Sequence, residues 1–257
     1  MVKKLSLLLV LFSLVYSAKS QPSQTDGEKQ LGKSGLFKLI TYKGKQYFVC
    51  RVDPHQYKID LFNRLPDNKG NFDFTTIAAE KGAKLLFAMN GGMFEPDLSP
   101  VGLFITKGKT INPLNTKDGS GNFYNLKPNG VFFVDNKNDP SVVTTDAFTS
   151  HAYQPEIATQ SGPMLVVEGV FNSNFKENSA NFNIRNGIGV TRTHQVVFVV
   201  SIDKVNFYEL SQLFRDRLGC DNALYLDGFV SQYFAPELQK EPAAGVPLGV
   251  FIAVSRK

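Results

Sequence analysis

The stretch Leu85-Leu86-Phe87-Ala88-Met89-Asn90-Gly91-Gly92 is a short apolar run that stops abruptly at an amide and two glycines. Short apolar runs bounded by turn residues are typical of buried strands. A second run, Ala223-Leu224-Tyr225-Leu226, stops in the same way at Asp227-Gly228. Both patterns predict a strand whose end presents a polar side chain beside a backbone that can approach a ligand closely.

Strands outnumber helices along the rest of the chain. Further strands are predicted at residues 36–40, 46–50, 57–62, 102–106, 130–134, 164–167, 187–191, 195–201 and 247–254. Residues 135–139 are polar and are expected to form a turn between strands rather than a calcium loop. Because the strands are scattered through the chain, the pattern predicts an α+β fold, with a mixed β-sheet core and peripheral helices in a single domain.

The strongest helix signal covers residues 207–218, where apolar side chains recur at helical spacing. Asn206 is placed to cap this helix, Glu209 completes a capping box, and Gly219 ends the helix. A shorter helix is predicted over residues 73–80.

The composition is that of a globular protein. Of the 257 residues, 42% are hydrophobic and 20% are charged, so a disordered chain is excluded. The net charge is +5, but Lys3, Lys4 and Lys19 belong to a segment without acids. The remaining residues hold no Lys/Arg run, so we expect no nucleic-acid partner.

The N-terminal residues have the pattern of a secretory signal peptide. Lys3 and Lys4 precede an apolar run over residues 5–16, and Ala18-Lys19-Ser20 supplies small residues for cleavage. The alternative is an uncleaved anchor, although the run is shorter than the roughly 20 apolar residues that span a bilayer. We therefore expect a signal peptide over 1–20, a flexible leader over 21–33 and a body over 34–257. The mature protein would be secreted or periplasmic, with no stable membrane insertion.

Two cysteines, Cys50 and Cys220, are present in the whole chain. In an oxidising compartment they could form a disulfide. They could equally be two buried thiols that act as small apolar residues.

Common catalytic and cofactor motifs are absent from the sequence. It contains no HExxH, CxxC, GxSxG, Walker loop or GxGxxG pattern, and His55, His151 and His194 lack metal-ligand spacing. No cofactor is therefore expected, and a metal requirement stays undecided.

Two more strand boundaries carry polar residues, at Gln160-Ser161-Gly162-Pro163 and at Arg185-Asn186-Gly187-Ile188-Gly189. Asn, Ser and Gln side chains hydrogen-bond to hydroxyls, Asp227 adds a carboxylate, and Arg185 adds a fork that fits phosphate. If the four boundaries meet in one cleft, their chemistry suits a sugar that bears a phosphate. The alternative is that each boundary is only a turn.

Four segments together resemble the phosphodiester glycosidase family, which includes the uncovering enzyme. They are Asn90-Gly91-Gly92-Met93-Phe94, Ser161-Gly162-Pro163-Met164-Leu165, Arg185-Asn186-Gly187-Ile188-Gly189 and Gly219-Cys220-Asp221-Asn222-Ala223-Leu224-Tyr225-Leu226-Asp227-Gly228. Further likeness to a bacterial secreted or periplasmic branch lies in residues 121–124, 127–131 and 205–208. The chain departs from the family pattern at Phe229-Val230-Ser231-Gln232, where glycines and serines are usual, and at Asn186-Gly187, where Thr-Ala is usual.

The resemblance implies hydrolysis of the C1–O bond of a sugar-1-phosphodiester. Asp227 would be the nucleophile, the general base or the stabiliser of an oxocarbenium-like centre, and Arg185 would stabilise the departing phosphate. Asn90 would complete the catalytic set, positioning the substrate with the backbone amides of Gly91 and Gly92. The other expected substrate contacts are Asn129, Gln160, Ser161, Asn186, Gly228 and Ser231.

Two other functions stay open at this point. The same cleft could belong to a carbohydrate or cell-envelope glycan binding module without activity. It could also belong to a phosphodiesterase that cuts the P–O bond. For the glycosidase and for the binding module alike, the expected partner is a sugar phosphodiester or a cell-envelope glycan.

Overall fold

The structure is a computed structural model that describes residues 26–63, 73–119, 126–228, 231–242 and 247–257. The expected signal peptide lies outside the described residues. None of the helices in the described part has the length and apolar character needed to cross a bilayer.

The described residues form seventeen strands and three α-helices. The strands are β1 (Gly27–Leu31), β2 (Phe37–Tyr42), β3 (Lys45–Val52), β4 (Tyr57–Asn63), β5 (Leu85–Asn90), β6 (Phe104–Thr106), β7 (Lys109–Asn112), β8 (Gly130–Asp135), β9 (Pro140–Thr144), β10 (Pro155–Ser161), β11 (Met164–Val167), β12 (Val170–Phe171), β13 (Asn186–Thr191), β14 (Val196–Ser201), β15 (Cys220–Tyr225), β16 (Tyr233–Phe234) and β17 (Val250–Arg256). The helices are α1 (Phe74–Lys81), α2 (Thr145–Ser150) and α3 (Phe207–Gln212).

These strands make three sheets. The largest has eight strands in the order β1-β2-β3-β14-β13-β15-β11-β12, and the others run β7-β6-β10-β8-β9 and β16-β5-β17-β4. The predicted α+β class with peripheral helices is confirmed. Every strand pair within these three sheets is antiparallel, so the expected mixture of strand directions is not found in the described residues.

The first ordered strand corrects the expected leader. Gly27–Leu31 falls inside the segment predicted to be flexible, yet it pairs along its whole length with β2. The ordered body therefore begins before residue 34. The sequence pattern did not predict β1, because an edge strand with exposed polar side chains has no apolar signal.

Local signals placed α1 and α3 correctly, whereas α2 was not predicted from the sequence. Asp73 accepts hydrogen bonds from the first turn of α1, and Asn206 and Glu209 form the predicted capping box of α3. Residues Leu213–Arg217 continue α3 as a π-helical turn, and Gly219 follows with a φ of 72°. The positive φ is the left-handed conformation that glycine adopts without strain.

The central core lies between the eight-stranded sheet and the two smaller sheets. Side chains alternate along β3, so that Phe48 and Cys50 face this core while Tyr47 and Val49 face α3. The Phe87 ring of β5 packs between those of Phe48 and Phe198, at centroid distances of 6.0 and 5.5 Å. Helices α1 and α2 cover the outer faces of the smaller sheets.

The two cysteines are free thiols on opposite faces of the eight-stranded sheet. Cys50 lies in the central core, whereas Cys220 lies in the layer under α3. Burial raises the pKa of the Cys50 thiol well above its usual value and that of Cys220 to about 12. Of the two sequence interpretations, the structure supports buried thiols.

We predict that neither thiol of the folded protein reacts with iodoacetamide at pH 8, because both are buried and protonated. Without any reductant, unfolding in guanidinium should expose both, and intact mass should then show two adducts. A denatured sample that gains adducts only after reduction would establish a disulfide and contradict this arrangement.

We also predict that Phe87→Ala lowers the free energy of unfolding by about 3–5 kcal/mol, because it removes the ring at the centre of the core. Urea denaturation measures this change. Phe182→Ala is the matched control: its ring is 43% exposed, so its effect should stay within about 1 kcal/mol. Equal losses in the two variants would show that Phe87 does not anchor the core.

Candidate functional site

The four polar strand boundaries meet in the structure. The Ser161 hydroxyl at the end of β10 donates to the carbonyl of Leu226 at 3.1 Å. The Asn90 amide at the end of β5 donates to the carbonyl of Asp227 at 2.6 Å. Two strands from the smaller sheets are thereby joined to the end of β15 in the largest sheet.

Asn90 is the centre of this junction. Its side-chain oxygen accepts from the Asn186 amide at 3.0 Å and from the backbone N–H of Gln232 at 2.9 Å. The side chain is 1% exposed. Its amide is thus engaged on both sides by the protein, and Asn90 fixes the segment that carries Asp227 instead of pointing to solvent.

The glycines after Asn90 allow strands to approach each other. A Cβ on Gly92 would lie 2.8 Å from the carbonyl oxygen of Gln160. The backbone N–H of Gly91 donates to the carbonyl of Val250 at 2.8 Å. The expected contact between the Gly91 amide and substrate is therefore wrong, since that donor is used within the fold.

Arg185 is buried immediately before β13, with 3% of its surface exposed. Its Nε donates to the carbonyl of Val205 and one Nη to the carbonyl of Asn181, both at 2.9 Å. The guanidinium carbon stands 3.8 Å from the centroid of the Phe207 ring. Burial lowers the pKa of Arg185, but an arginine in this setting stays protonated.

Tyr225 connects Arg185 with the end of β15. Its phenol oxygen accepts from the backbone N–H of Gly228 at 2.9 Å, and it contacts the Arg185 guanidinium. Burial raises the pKa of Tyr225, and the Asp227 carboxylate adds to this rise, while Arg185 opposes it. The phenol is therefore protonated at neutral pH, and its O–H can donate a hydrogen bond.

Asp227 is half-buried at the strand end. The Arg185 guanidinium lies 5.6 Å from the centroid of the Tyr225 ring, and the Tyr225 phenol accepts from the N–H of Gly228, the residue after Asp227. The three side chains therefore belong to the same strand end, where the Asp227 carboxylate contributes to the raised pKa of Tyr225. This cluster, Asp227 with Tyr225 and Arg185, is called the acidic–basic cluster below. It offers a negative group for an electron-poor carbon and positive or donor groups for a leaving anion.

Sequence reasoning did not select Tyr225 as a site residue. The only available signal was a phenol on an otherwise aliphatic buried strand, directly before Leu226-Asp227. Its role depends on Arg185, which approaches from another strand, and no local pattern shows that contact.

Gln160 uses its whole amide inside the protein. Its oxygen accepts from the N–H groups of Leu103 and Asn115, and its nitrogen donates to the carbonyl of Asn115 and the hydroxyl of Thr145. The Ser231 hydroxyl likewise donates to a backbone group, the carbonyl of Gly228 at 2.8 Å. Both shape the loops around the site.

Two buried amides keep free hydrogen-bonding capacity. Within the described residues, the side-chain nitrogen of Asn129 and the side-chain oxygen of Asn186 have no partner. Asn129 is 3% exposed and Asn186 is 0% exposed. Buried polar atoms are nearly always bonded, so these two atoms are the open positions of the network.

The described residues contain no group of three His, Cys, Asp or Glu side chains that could hold a metal ion. His194 contacts Asp139 at 2.6 Å, and His151 contacts the carbonyl of Ala147. Both histidines are exposed.

Comparison with known proteins identifies relatives of this chain. A model of the phosphodiester glycosidase family matches residues 83–254. The uncharacterized protein YigE of Escherichia coli K12 is 36% identical over 170 residues, a match that covers 66% of this chain and 65% of that protein. The chain thus spans less than two thirds of the length of this curated relative.

Solved structures share the fold. The catalytic domain of zebrafish N-acetylglucosamine-1-phosphodiester alpha-N-acetylglucosaminidase, auto-inhibited by its pro-peptide, has a TM-score of 0.58 and 12% identity, covering 91% of this chain and 83% of that chain. A candidate exported protein of Burkholderia pseudomallei K96243 has a TM-score of 0.54 and 12% identity, covering 85% and 74%.

At such identities the structures show the fold alone. The family model covers most of the chain and includes all four strand boundaries of the site. The chain belongs to the phosphodiester glycosidase family.

Proposed function

We propose that this protein is an exported glycosidase that hydrolyses the C1–O bond of a sugar-1-phosphodiester, releasing the sugar and a phosphomonoester. The observation that carries the proposal is the acidic–basic cluster on a fixed strand end. The Asn90 amide binds the backbone carbonyl of Asp227 and so fixes the strand end. The Asp227 carboxylate takes no part in that hydrogen bond.

The buried cation suits the leaving group. When the C1–O bond breaks, the electron pair goes to the phosphate oxygen, and negative charge develops there. A fixed positive charge in a buried site stabilises such a charge without reorganisation. Arg185 supplies the charge, and the protonated Tyr225 supplies a hydrogen-bond donor next to it.

A single carboxylate is compatible with this reaction. Most glycosidases use two carboxyl groups, one of which protonates a poor alkoxide leaving group. A phosphate leaves more readily than an alkoxide, so the acid is less necessary. Asp227 then acts on the sugar side, as nucleophile, as base for the attacking water or as stabiliser of the cationic C1, and the water oxygen ends on C1.

Export is part of the proposal and rests on the N-terminal pattern. Lys3 and Lys4, the apolar run and Ala18-Lys19-Ser20 support it. The exported candidate among the structural neighbours is consistent with it. Detection of a mature N-terminus at Gln21 in the secreted or periplasmic fraction would test it.

We predict that Asp227→Asn lowers turnover of a sugar-1-phosphodiester by about 10²–10⁴-fold, with little change in melting temperature. The hydrogen bond from Asn90 survives the substitution, because its acceptor is the backbone carbonyl of residue 227. Phosphomonoester release measures the turnover. Asp146→Asn, an exposed carboxylate in α2, is the control and should keep full activity; retained turnover in Asp227→Asn would remove Asp227 from the reaction.

We predict that Arg185→Lys lowers kcat by about 10²–10³-fold, because a point charge replaces a fork that is stacked on Phe207 and bonded to two carbonyls. The matched control is Arg192→Lys, which alters an exposed ion pair with Asp221 and should keep the wild-type kcat. Unchanged kinetics in a folded Arg185→Lys protein would make Arg185 purely structural.

Two rival functions are separated by the same assay. Turnover in ¹⁸O-labelled water places the label in the sugar when C1–O breaks and in the phosphate when P–O breaks. The second candidate is a binding module. The unpartnered amide atoms of Asn129 and Asn186 favour it, since they could hydrogen-bond to a ligand without any reaction taking place. Binding of sugar phosphodiesters without any product would support that candidate.

A further inference from the structure

A cavity of about 270 Å³ lies on the α3 side of the eight-stranded sheet, beside the end of the π-helical turn. Its floor comes from β2 and β3, and its walls come from β1, from the turn before β4 and from the residues that end the helical segment. None of its described lining residues belongs to the acidic–basic cluster or to the four polar strand boundaries. The cavity is therefore separate from the candidate active site.

The floor of the cavity is apolar and rigid. Ile40 and Val49 are each 2% exposed, and Leu218 is 4% exposed. All three belong to the core layer under α3, and the strands that carry Ile40 and Val49 are paired with each other along β2. Because the floor is fixed by the fold, a ligand would bind without the cost of ordering it.

Three cations and two carboxylates stand around this floor: Lys38, Arg51, Arg217, Glu28 and Asp53. Glu28 accepts from Nζ of Lys38 at 2.7 Å and from an Nη of Arg217 at 2.9 Å. The hydrogen bond from Lys38 lowers the pKa of Glu28, so this carboxyl group is ionised at neutral pH. One negative charge is thus shared by two positive charges, which leaves this group of three with an excess positive charge.

The second carboxylate of the lining is engaged within its own turn. Asp53 accepts from the backbone N–H of His55 at 2.8 Å and from the side-chain amide of Gln56 at 3.0 Å. In the described residues it forms no ion pair. Asp53 therefore does not neutralise the cations of the cavity by direct contact.

Arg51 is the lining cation with spare hydrogen-bonding capacity. Of the three cations, it alone has no carboxylate partner in the part of the chain that the structure describes. Its Nη atoms lie 3.4 Å from the side-chain oxygen of Gln195 and 3.3 Å from the carbonyl oxygen of Leu218. Both distances exceed the usual value of about 2.9–3.0 Å, and both acceptors are neutral. Since a guanidinium carries five N–H donors in a planar fork that fits a carboxylate, half-buried Arg51 can still bind an anion.

The charge balance and the floor together define the ligand. The three cations exceed the two carboxylates by one charge, so a ligand with a single negative charge would neutralise the lining. A phosphate dianion would leave an excess of negative charge in a partly dehydrated site, which costs free energy. The apolar floor adds a preference for a short hydrocarbon body.

We propose that this cavity binds a small monocarboxylate, with the carboxylate on the Arg51 fork and the hydrocarbon body against Ile40, Val49 and Leu218. Such a ligand would contact both β3 and the end of the α3 segment, which are far apart in the sequence. A ligand that binds only the folded state stabilises it. This binding is independent of the reaction at Asp227.

The first test measures binding of isovalerate and benzoate to the full protein by isothermal titration calorimetry and by the melting temperature. At least one acid should bind saturably and raise the melting temperature with increasing concentration. Isovaleramide and benzamide, which keep the same bodies without the charge, and inorganic phosphate should bind at least about tenfold more weakly. Sodium chloride at the same ionic strength is the control for salt.

The second test places the ligand. Arg51→Gln should weaken binding of the acid about tenfold or more, because both the charge and the fork are lost. Arg192→Gln, which removes an exposed arginine from its ion pair with Asp221, is the matched control and should leave the Kd unchanged. If Arg51→Gln does not fold, Arg217→Gln replaces it: that side chain is 34% exposed, and its loss removes one of the two cations on Glu28, so binding should weaken as well.

Three results would overturn the site. They are the absence of saturable binding for both acids, equal binding of the neutral amides or of phosphate, and binding of the acids that the folded variants leave unchanged.

Discussion

The buried amide of Asn90 is the contact on which the site depends. It links the end of β5, in the four-stranded sheet, to β13 and to the segment after β15, in the eight-stranded sheet. Ser161 adds a hydrogen bond from the five-stranded sheet to Leu226, and much of the remaining contact between the sheets is made by apolar side chains, which fix distance but not direction. A hydrogen-bonded amide fixes direction, so Asn90 sets the position of Asp227 relative to Arg185 together with the hydrogen bonds at Leu226 and Gly228. Loss of one partner would leave buried polar atoms unpaired, which makes the arrangement hard to change gradually.

Much of the fold could be predicted from short patterns. Apolar runs between glycines placed β5 and β15, and the capping residues placed α1 and α3. The strands that escaped detection are polar or lie at edges. The clearest example is β10 (Pro155–Ser161), whose Thr159, Gln160 and Ser161 are polar yet buried. Their burial depends on partners from distant segments, such as the hydrogen bond from Ser161 to Leu226, and composition alone does not reveal such partners.

The location of the candidate site could be predicted from the sequence, but the role of each residue in it was harder to predict. The four strand boundaries do converge, as the polar residues at their ends indicated. The chemistry at each boundary was harder to predict, because an amide such as Gln160 looks the same in sequence whether it bonds to substrate or to the backbone of a loop. The catalytic and binding roles of Asp227, Arg185 and Asn186 stay predictions. Tyr225 is added to the candidate site residues because the structure places its phenol beside Gly228 and Arg185.

The placement of Cys50 and Cys220 on opposite faces of one sheet has a practical consequence. The β-sheet layer itself separates the two sulfur atoms, so the fold draws none of its cohesion from a covalent cross-link. Its stability comes from ring packing and hydrogen bonds, which are indifferent to the thiol–disulfide balance of the surroundings. The body of the protein should accordingly reach the same folded state in a glutathione-rich cell interior as in an oxidising space, without the help of an oxidoreductase.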